Sequence, residues 1–121
     1  MKWVLILLFL ARQKHIVLDG KDYYMDLLFY HRTLRRLVLI ELKLGEFEPQ
    51  DKGQTELYLR WLEKNEKAEG EESPVALIFF AEKSQETIEF LQLMFRLGTV
   101  QIADIVYNTL GGVVGELLIL F

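Results

Sequence analysis

Three charged residues interrupt apolar sequence in a pattern that suits metal-assisted hydrolysis: Asp26, Glu41 and Lys43. Glu41 and Lys43 sit two apart in LVLIELKL, residues 37–44, a run that reads as a strand buried on both faces. Side chains alternate along a strand, so both point to one face, roughly 7 Å apart. Burying a carboxylate and an ammonium is costly unless they are paired or hold a metal. Asp26 adds a second carboxylate on a segment that can pair with this strand. Two carboxylates and a carbonyl such as that of Leu42 can chelate Mg2+ or Mn2+, with water in the remaining positions. Such a cation polarises a phosphodiester and lowers the pKa of a bound water. Lys43 can then orient that water or offset the charge developing on the phosphate. Glu-x-Lys alone is also a common surface ion pair. The apolar flanks and Asp26 argue for the metal chemistry here.

Gln54 and Tyr58 lie four apart in the next segment, hence on one helix face. An amide and a phenol placed together could contact a phosphate or a metal-bound water. In isolation the same spacing fits any amphipathic helix.

The elements that must position these groups are readable. Asp19-Gly20 is a hairpin signal between strands near 5–18 and 22–31. A polar turn from Arg32 to Arg35 leads to a third strand at 36–44, completing an antiparallel meander. After a connector with Pro49, a helix is expected over about 51–67, with Leu57, Trp61 and Leu62 as its apolar stripe. Residues 75–81, VALIFFA, read as a buried strand. Ser84 is placed to cap a helix over 85–95, and 100–107 alternate as a late strand. The glycine-broken tail GGVVGELLILF is an added strand, an interface segment or a poorly packed end. The fold class is α/β (α+β): a central mixed sheet flanked by helices, in one domain over residues 1–121.

Composition narrows the setting. The 121 residues are 51% hydrophobic and 26% charged, enough for one real core. Cysteine is absent, which excludes disulfides and thiolate metal sites and fits a reducing compartment, the cytoplasm. The apolar start, Trp3 to Ala11, is too short to span a bilayer and lacks a cleavage pattern, so no membrane partner is expected. Residues 1–43 carry a net +4 and residues 44–121 a net −8, so nucleic acid should meet the N-terminal half. Arg12, Lys14, Arg32, Arg35 and Arg36 are the candidates for phosphate contact. His15 and His31 read as structural or surface residues, His31 facing away from Asp26 at an odd offset of five. The apolar terminal runs are expected either to pair with each other or to form a homodimer surface.

Taken together, Asp26…Glu41-x-Lys43…Gln54-x-x-x-Tyr58 is more specific than its parts. The string KDYYMDLLFYHRTLRRLVLIELKLGEFEPQDKGQTELYLRWLE resembles the PD-(D/E)xK nuclease superfamily, especially the C-terminal nuclease domain of YhcG-like bacterial proteins. ARQKHIVLDG and PVALIFFAEKSQETIEFL fit as well, and the likeness covers roughly residues 10–107. It implies a restriction-endonuclease-like fold and Mg2+-dependent cleavage of DNA, with RNA the second candidate. It also implies that Asp26, Glu41 and Lys43 hold the acidic, acidic and lysine positions, with Gln54 and Tyr58 the Q-x-x-x-Y motif of RecB-like members. The relatives carry a helical region before this domain, and its loss, with an acidic residue on it, is expected here. The rival expectation is a nuclease fold kept as a nucleic-acid-binding or dimerisation module.

Overall fold

The computed structural model describes residues 7–81, 83–86, 88–89, 92 and 114–120. Its elements are β1 (Leu7–Leu18), β2 (Lys21–His31), β3 (Arg36–Leu44), α1 (Pro49–Asn65), β4 (Val75–Ala81) and β5 (Val114–Leu120). The five strands form one sheet in sequence order. β1, β2 and β3 are antiparallel, β4 runs parallel to β3, and β5 runs antiparallel to β4. The expected mixed sheet with an N-terminal meander is therefore present.

Each join has a local cause. Asp19 and Gly20 both take positive φ, 51° and 77°, while Leu18 pairs with Lys21. Two residues in that conformation give a tight turn whose twist matches the strands it joins. A parallel partner for β3 requires a long crossover, and α1 supplies it. Pro49 opens the helix, where its missing N–H costs nothing. The helix starts two residues earlier than expected.

The core lies between α1 and the sheet. Thr55, Tyr58, Leu59 and Leu62 form the buried face of α1, the last three in one cluster with Ile16, Met25, Leu28, Leu37, Leu39 and Ala76. This corrects the expected stripe. Leu57 is exposed and Trp61 only partly buried, whereas Tyr58 turns inward. A tyrosine read as a site residue also fills the core, because its ring is apolar and only its hydroxyl needs a partner. The central strand β3 is buried at every position from Leu37 to Ile40, as its unbroken apolar run requires.

Of the tail's three readings, the added strand is the observed one: 114–120 pairs with β4. Among the described residues the terminal runs do not pair with each other, since β1 and β5 lie on opposite edges of the sheet. Ile88 N–H donates to the Ser84 carbonyl at 3.0 Å, where the helix expected after Ser84 begins. The expected strand at 100–107 and residues 1–6 lie outside the described residues.

Candidate active site

Besides a register shift between Phe9 and Ala11, the alternation of β1 and β2 breaks near Gln13. Met25 and Leu28 both belong to the core under α1, although they are three apart. On β1, Ala11 and Ile16 face the same core at an odd spacing of five. A regular strand would put such pairs on opposite faces. Between these positions lies Gln13, with a φ of 48° that non-glycine residues rarely adopt. It stands between the pairs Arg12–Leu27 and Lys14–Met25, opposite Asp26.

At the same level β2 leaves β3. Their last rung is Leu27–Ile40. Beyond it, two carboxylates replace the main-chain ladder. Asp26 N–H donates to Glu41 Oε2 at 2.8 Å, and Leu42 N–H donates to Asp26 Oδ2 at 2.8 Å. Gln13 Nε2 donates to Asp26 Oδ1 at 3.2 Å. The gap so opened is a cavity of about 200 Å3, lined among others by Asp26, Glu41, Lys43, Asp51, Gln54 and Tyr58. It sits at the C-terminal end of the central strand rather than at a lateral edge of the sheet.

Two carboxylates this close and this buried resist ionising together. Burial first, then the charge of Asp26, pushes Glu41 up to about 9. Burial also raises Asp26, although the N–H of Leu42 and the Gln13 amide oppose the rise. A divalent cation would relieve both causes at once. Each carboxylate keeps one oxygen outside the two short main-chain bonds, and Leu42 lines the same cavity. Among the described residues no group of three or more His, Cys, Asp or Glu gathers, so a cation would rest on these two side chains, a main-chain oxygen and water. That donor set suits Mg2+, which keeps several waters.

Lys43 reaches the cavity from the same strand face as Glu41. Its Nζ lies 3.0 Å from Oδ1 of Asp51, whose side chain is only 12% exposed. Asp51 is the third residue of α1, and its Oδ2 accepts the Glu48 N–H at 2.8 Å. One carboxylate thus caps the helix and holds the lysine. Gln54 and Tyr58 turn to the cavity together: Gln54 Nε2 donates to the Tyr58 hydroxyl at 2.9 Å. That hydroxyl in turn donates to the Tyr24 carbonyl at 3.4 Å. Burial, with Glu41 and Asp26 nearby, pushes Tyr58 up to about 12, so it keeps its proton.

The basic residues behave differently. Arg35 Nη2 donates to the Gly70 carbonyl at 2.6 Å and Arg36 Nε to the Ser73 carbonyl at 2.9 Å. They pin the 66–74 loop at the far end of β3, about 17 Å from Glu41 at 3.4 Å per residue. Arg32 lies in the same turn. Lys14 pairs with Glu66 at 3.1 Å and stands over the Trp61 ring. Of the five basic candidates, Arg12 and Lys14 are on β1 beside Gln13, and the other three are remote from the carboxylates. His31 Nδ1 accepts the Leu34 N–H at 3.0 Å inside the β2–β3 turn, and burial lowers its pKa, which keeps the nitrogen available as an acceptor.

Sequence reasoning passed over Gln13, Asp51 and Thr55. Asp51 looked like an ordinary acidic residue at a helix start. Its spacing of eight from Lys43 gives no sign that the connector folds back on the strand end. Thr55 could have been found, since it lies on the Gln54–Tyr58 side of the helix just before the buried Leu59.

With this geometry in view, the comparisons are specific. The family model described as the YhcG PDDEXK nuclease domain matches residues 5–105. "Putative nuclease YhcG" of Escherichia coli (strain K12) is 37% identical over 75 residues, covering 62% of this chain and 20% of that protein. The chain thus spans about a fifth of the length of that curated relative. No solved structure matches.

Proposed function

The chain belongs to the YhcG PDDEXK nuclease domain family, and we propose that its carboxylate cavity binds Mg2+ or Mn2+ and hydrolyses phosphodiester bonds, in DNA rather than RNA, in the cytoplasm. The observation that supports this most is the replacement of the β2–β3 ladder by Asp26 and Glu41. Of two half-buried carboxylates, that of Glu41 is held by the Asp26 N–H and that of Asp26 by the Leu42 N–H, at the mouth of a cavity that also receives Lys43, Gln54 and Tyr58. Among the described residues no helix is long and apolar enough to cross a membrane.

Asp26, Glu41 and the Leu42 carbonyl would hold the cation, which supplies a polarised phosphodiester and an acidified water. The chain's own groups do the rest. Lys43, kept in place by Asp51, presents an ammonium to the phosphate oxygens on which charge develops. Tyr58 keeps its proton and acts as a hydrogen-bond donor, not as a base. Gln54 fixes the direction of that donor.

The test is calorimetric titration with Mg2+ and Mn2+, then cleavage of labelled single-stranded, duplex and RNA substrates by wild type and Glu41→Gln. Cation binding with cleavage that vanishes in the variant is expected. Nucleic-acid binding without cleavage of any form would overturn the enzyme and leave the binding module.

A further inference from the structure

Beside the cavity lies an aromatic side chain that the chemistry above does not use. Tyr24 is on β2, two residues before Asp26 and so about 7 Å along the strand from it. It lines the same cavity, yet the residue is 54% exposed. Most large apolar side chains at this level of the strands are buried, Met25 and Leu27 completely. Tyr24 is also held. It pairs across the ladder with His15, whose ring lies 5.0 Å away, tilted by 31°. His15 is fixed in turn by a hydrogen bond of 2.7 Å between its Nε2 and Asp22 Oδ1. The Tyr24 main chain is anchored as well, since its carbonyl accepts the Tyr58 hydroxyl. The result is an exposed ring, backed by a second ring and joined through its backbone to the candidate active site.

We propose that the Tyr24–His15 pair is a stacking platform for a nucleobase, and that it selects single-stranded nucleic acid at the neighbouring carboxylate cavity. The inference rests on the nuclease reading only for the cavity's use, not for the platform itself. Three observations favour a base over other occupants. The platform is continuous with a cavity suited to phosphodiester chemistry. It lies within residues 1–43, which carry a net +4. Its rings are flat, rigid and partly solvated, and base stacking on such side chains does not depend on sequence. The choice of single strand follows from geometry. Inside a duplex both faces of each base are covered by neighbours, so away from the ends only an unstacked base can lie on Tyr24. A base seated there directs the adjoining backbone along β2 toward Asp26.

The experiment is binding of the full chain, with EDTA present, to an oligonucleotide carrying one 2-aminopurine in a thymidine run and to a blunt duplex of equal length. The proteins are wild type, Tyr24→Ala and Tyr24→Phe, with circular dichroism as the fold control. Wild type should quench the 2-aminopurine. Tyr24→Ala should weaken single-strand binding about five- to hundredfold and relieve the quenching. Tyr24→Phe should behave as wild type, and duplex affinity should be the same in all three. Equal single-strand affinity in Tyr24→Ala, or equal losses on both forms, would overturn the platform and leave the nuclease reading intact. Tyr24-dependent binding without cleavage of any form in Mg2+ would overturn the nuclease reading and leave the platform standing. Wild type that binds no single strand would overturn the platform too.

Discussion

Replacing Glu41 by Gln should make the metal-free protein more stable, not less. Glu41 is held at about 9, against 4.5 for a free glutamate, by burial and by Asp26. Its folded pKa lies above the unfolded one, so at neutral pH the folded chain keeps a proton that the unfolded chain has released. The associated stability is complete below pH 4.5 and is lost as pH rises toward 9. At about 1.4 kcal/mol per pH unit, the loss at pH 7 is about 3 kcal/mol. Glutamine does not titrate. Its carbonyl oxygen can still accept the Asp26 N–H, and its amide can donate to the Asp26 carboxylate. Glu41→Gln should therefore melt roughly 10 °C above wild type at pH 7 in EDTA. The two midpoints should converge near pH 4.5.

The cation should reverse the order. At about two hundred times its dissociation constant it adds about 3 kcal/mol to wild type, which offsets the gap, and more at higher concentration. The variant, with one ligand removed, should gain little. The assay is thermal melting by circular dichroism at several pH values, with EDTA and with increasing Mg2+. A variant that melts below wild type at pH 8 in EDTA refutes the argument that the two carboxylates repel. Equal Mg2+-induced shifts in both proteins refute the argument that Glu41 is a ligand.

Lys43→Ala should lower the cleavage rate by about 10²-fold while Mg2+ affinity by calorimetry stays close to wild type; a parallel loss of both would place the lysine in cation binding instead. Asp51→Asn removes the charge that holds Lys43 and favours the start of α1. It should cost about 0.5–1 kcal/mol in urea unfolding and lower kcat with KM nearly unchanged, whereas an unchanged kcat would reduce Asp51 to a helix cap. Tyr58→Phe leaves the Gln54 amide without its acceptor and should cost about 1–2 kcal/mol, read from the urea midpoint; a neutral result would show that water takes the place of the hydroxyl.

What the sequence made legible was whatever local chemistry decides. The apolar run at 37–44, with its β-branched residues, suits a strand covered on both faces, and residues 37–40 are buried in one. Asp19-Gly20 could turn with two positive φ values where other residue pairs would be strained. What it concealed depended on partners far along the chain. Arg35 and Arg36 looked like phosphate ligands because a turn rich in arginine usually faces water. Their carbonyl partners, Gly70 and Ser73, are 35 and 37 residues away. The buried face of α1 was misjudged for a related reason. Tyr58 reads as a site residue by its hydroxyl, yet it is buried in the core with its ring edge-on to that of Tyr23, while the hydroxyl reaches the Tyr24 carbonyl.

The site itself was half legible, and the missing half explains why it works as a unit. Residue types and spacing brought Asp26, Glu41 and Lys43 together, but periodicity assumes a strand that alternates without interruption. This one does not. The left-handed Gln13 and the odd spacing of Met25 and Leu28 mark a coordinated break in β1 and β2. That break takes Asp26 off the ladder and frees its N–H for the Glu41 carboxylate. Had β2 stayed in register past Leu27, the Asp26 N–H and the Leu42 N–H would have been free for ordinary main-chain partners, and the carboxylates would have lost the donors that aim them. The same interruption opens the cavity and orients the two acids, so a substitution that restores regular strand geometry at Gln13 should disturb both together. The acids are costly to bury where they stand. Burial opposes the charge of both acids, a perturbation of the kind that gathers at functional sites, and this supports the proposed cation site.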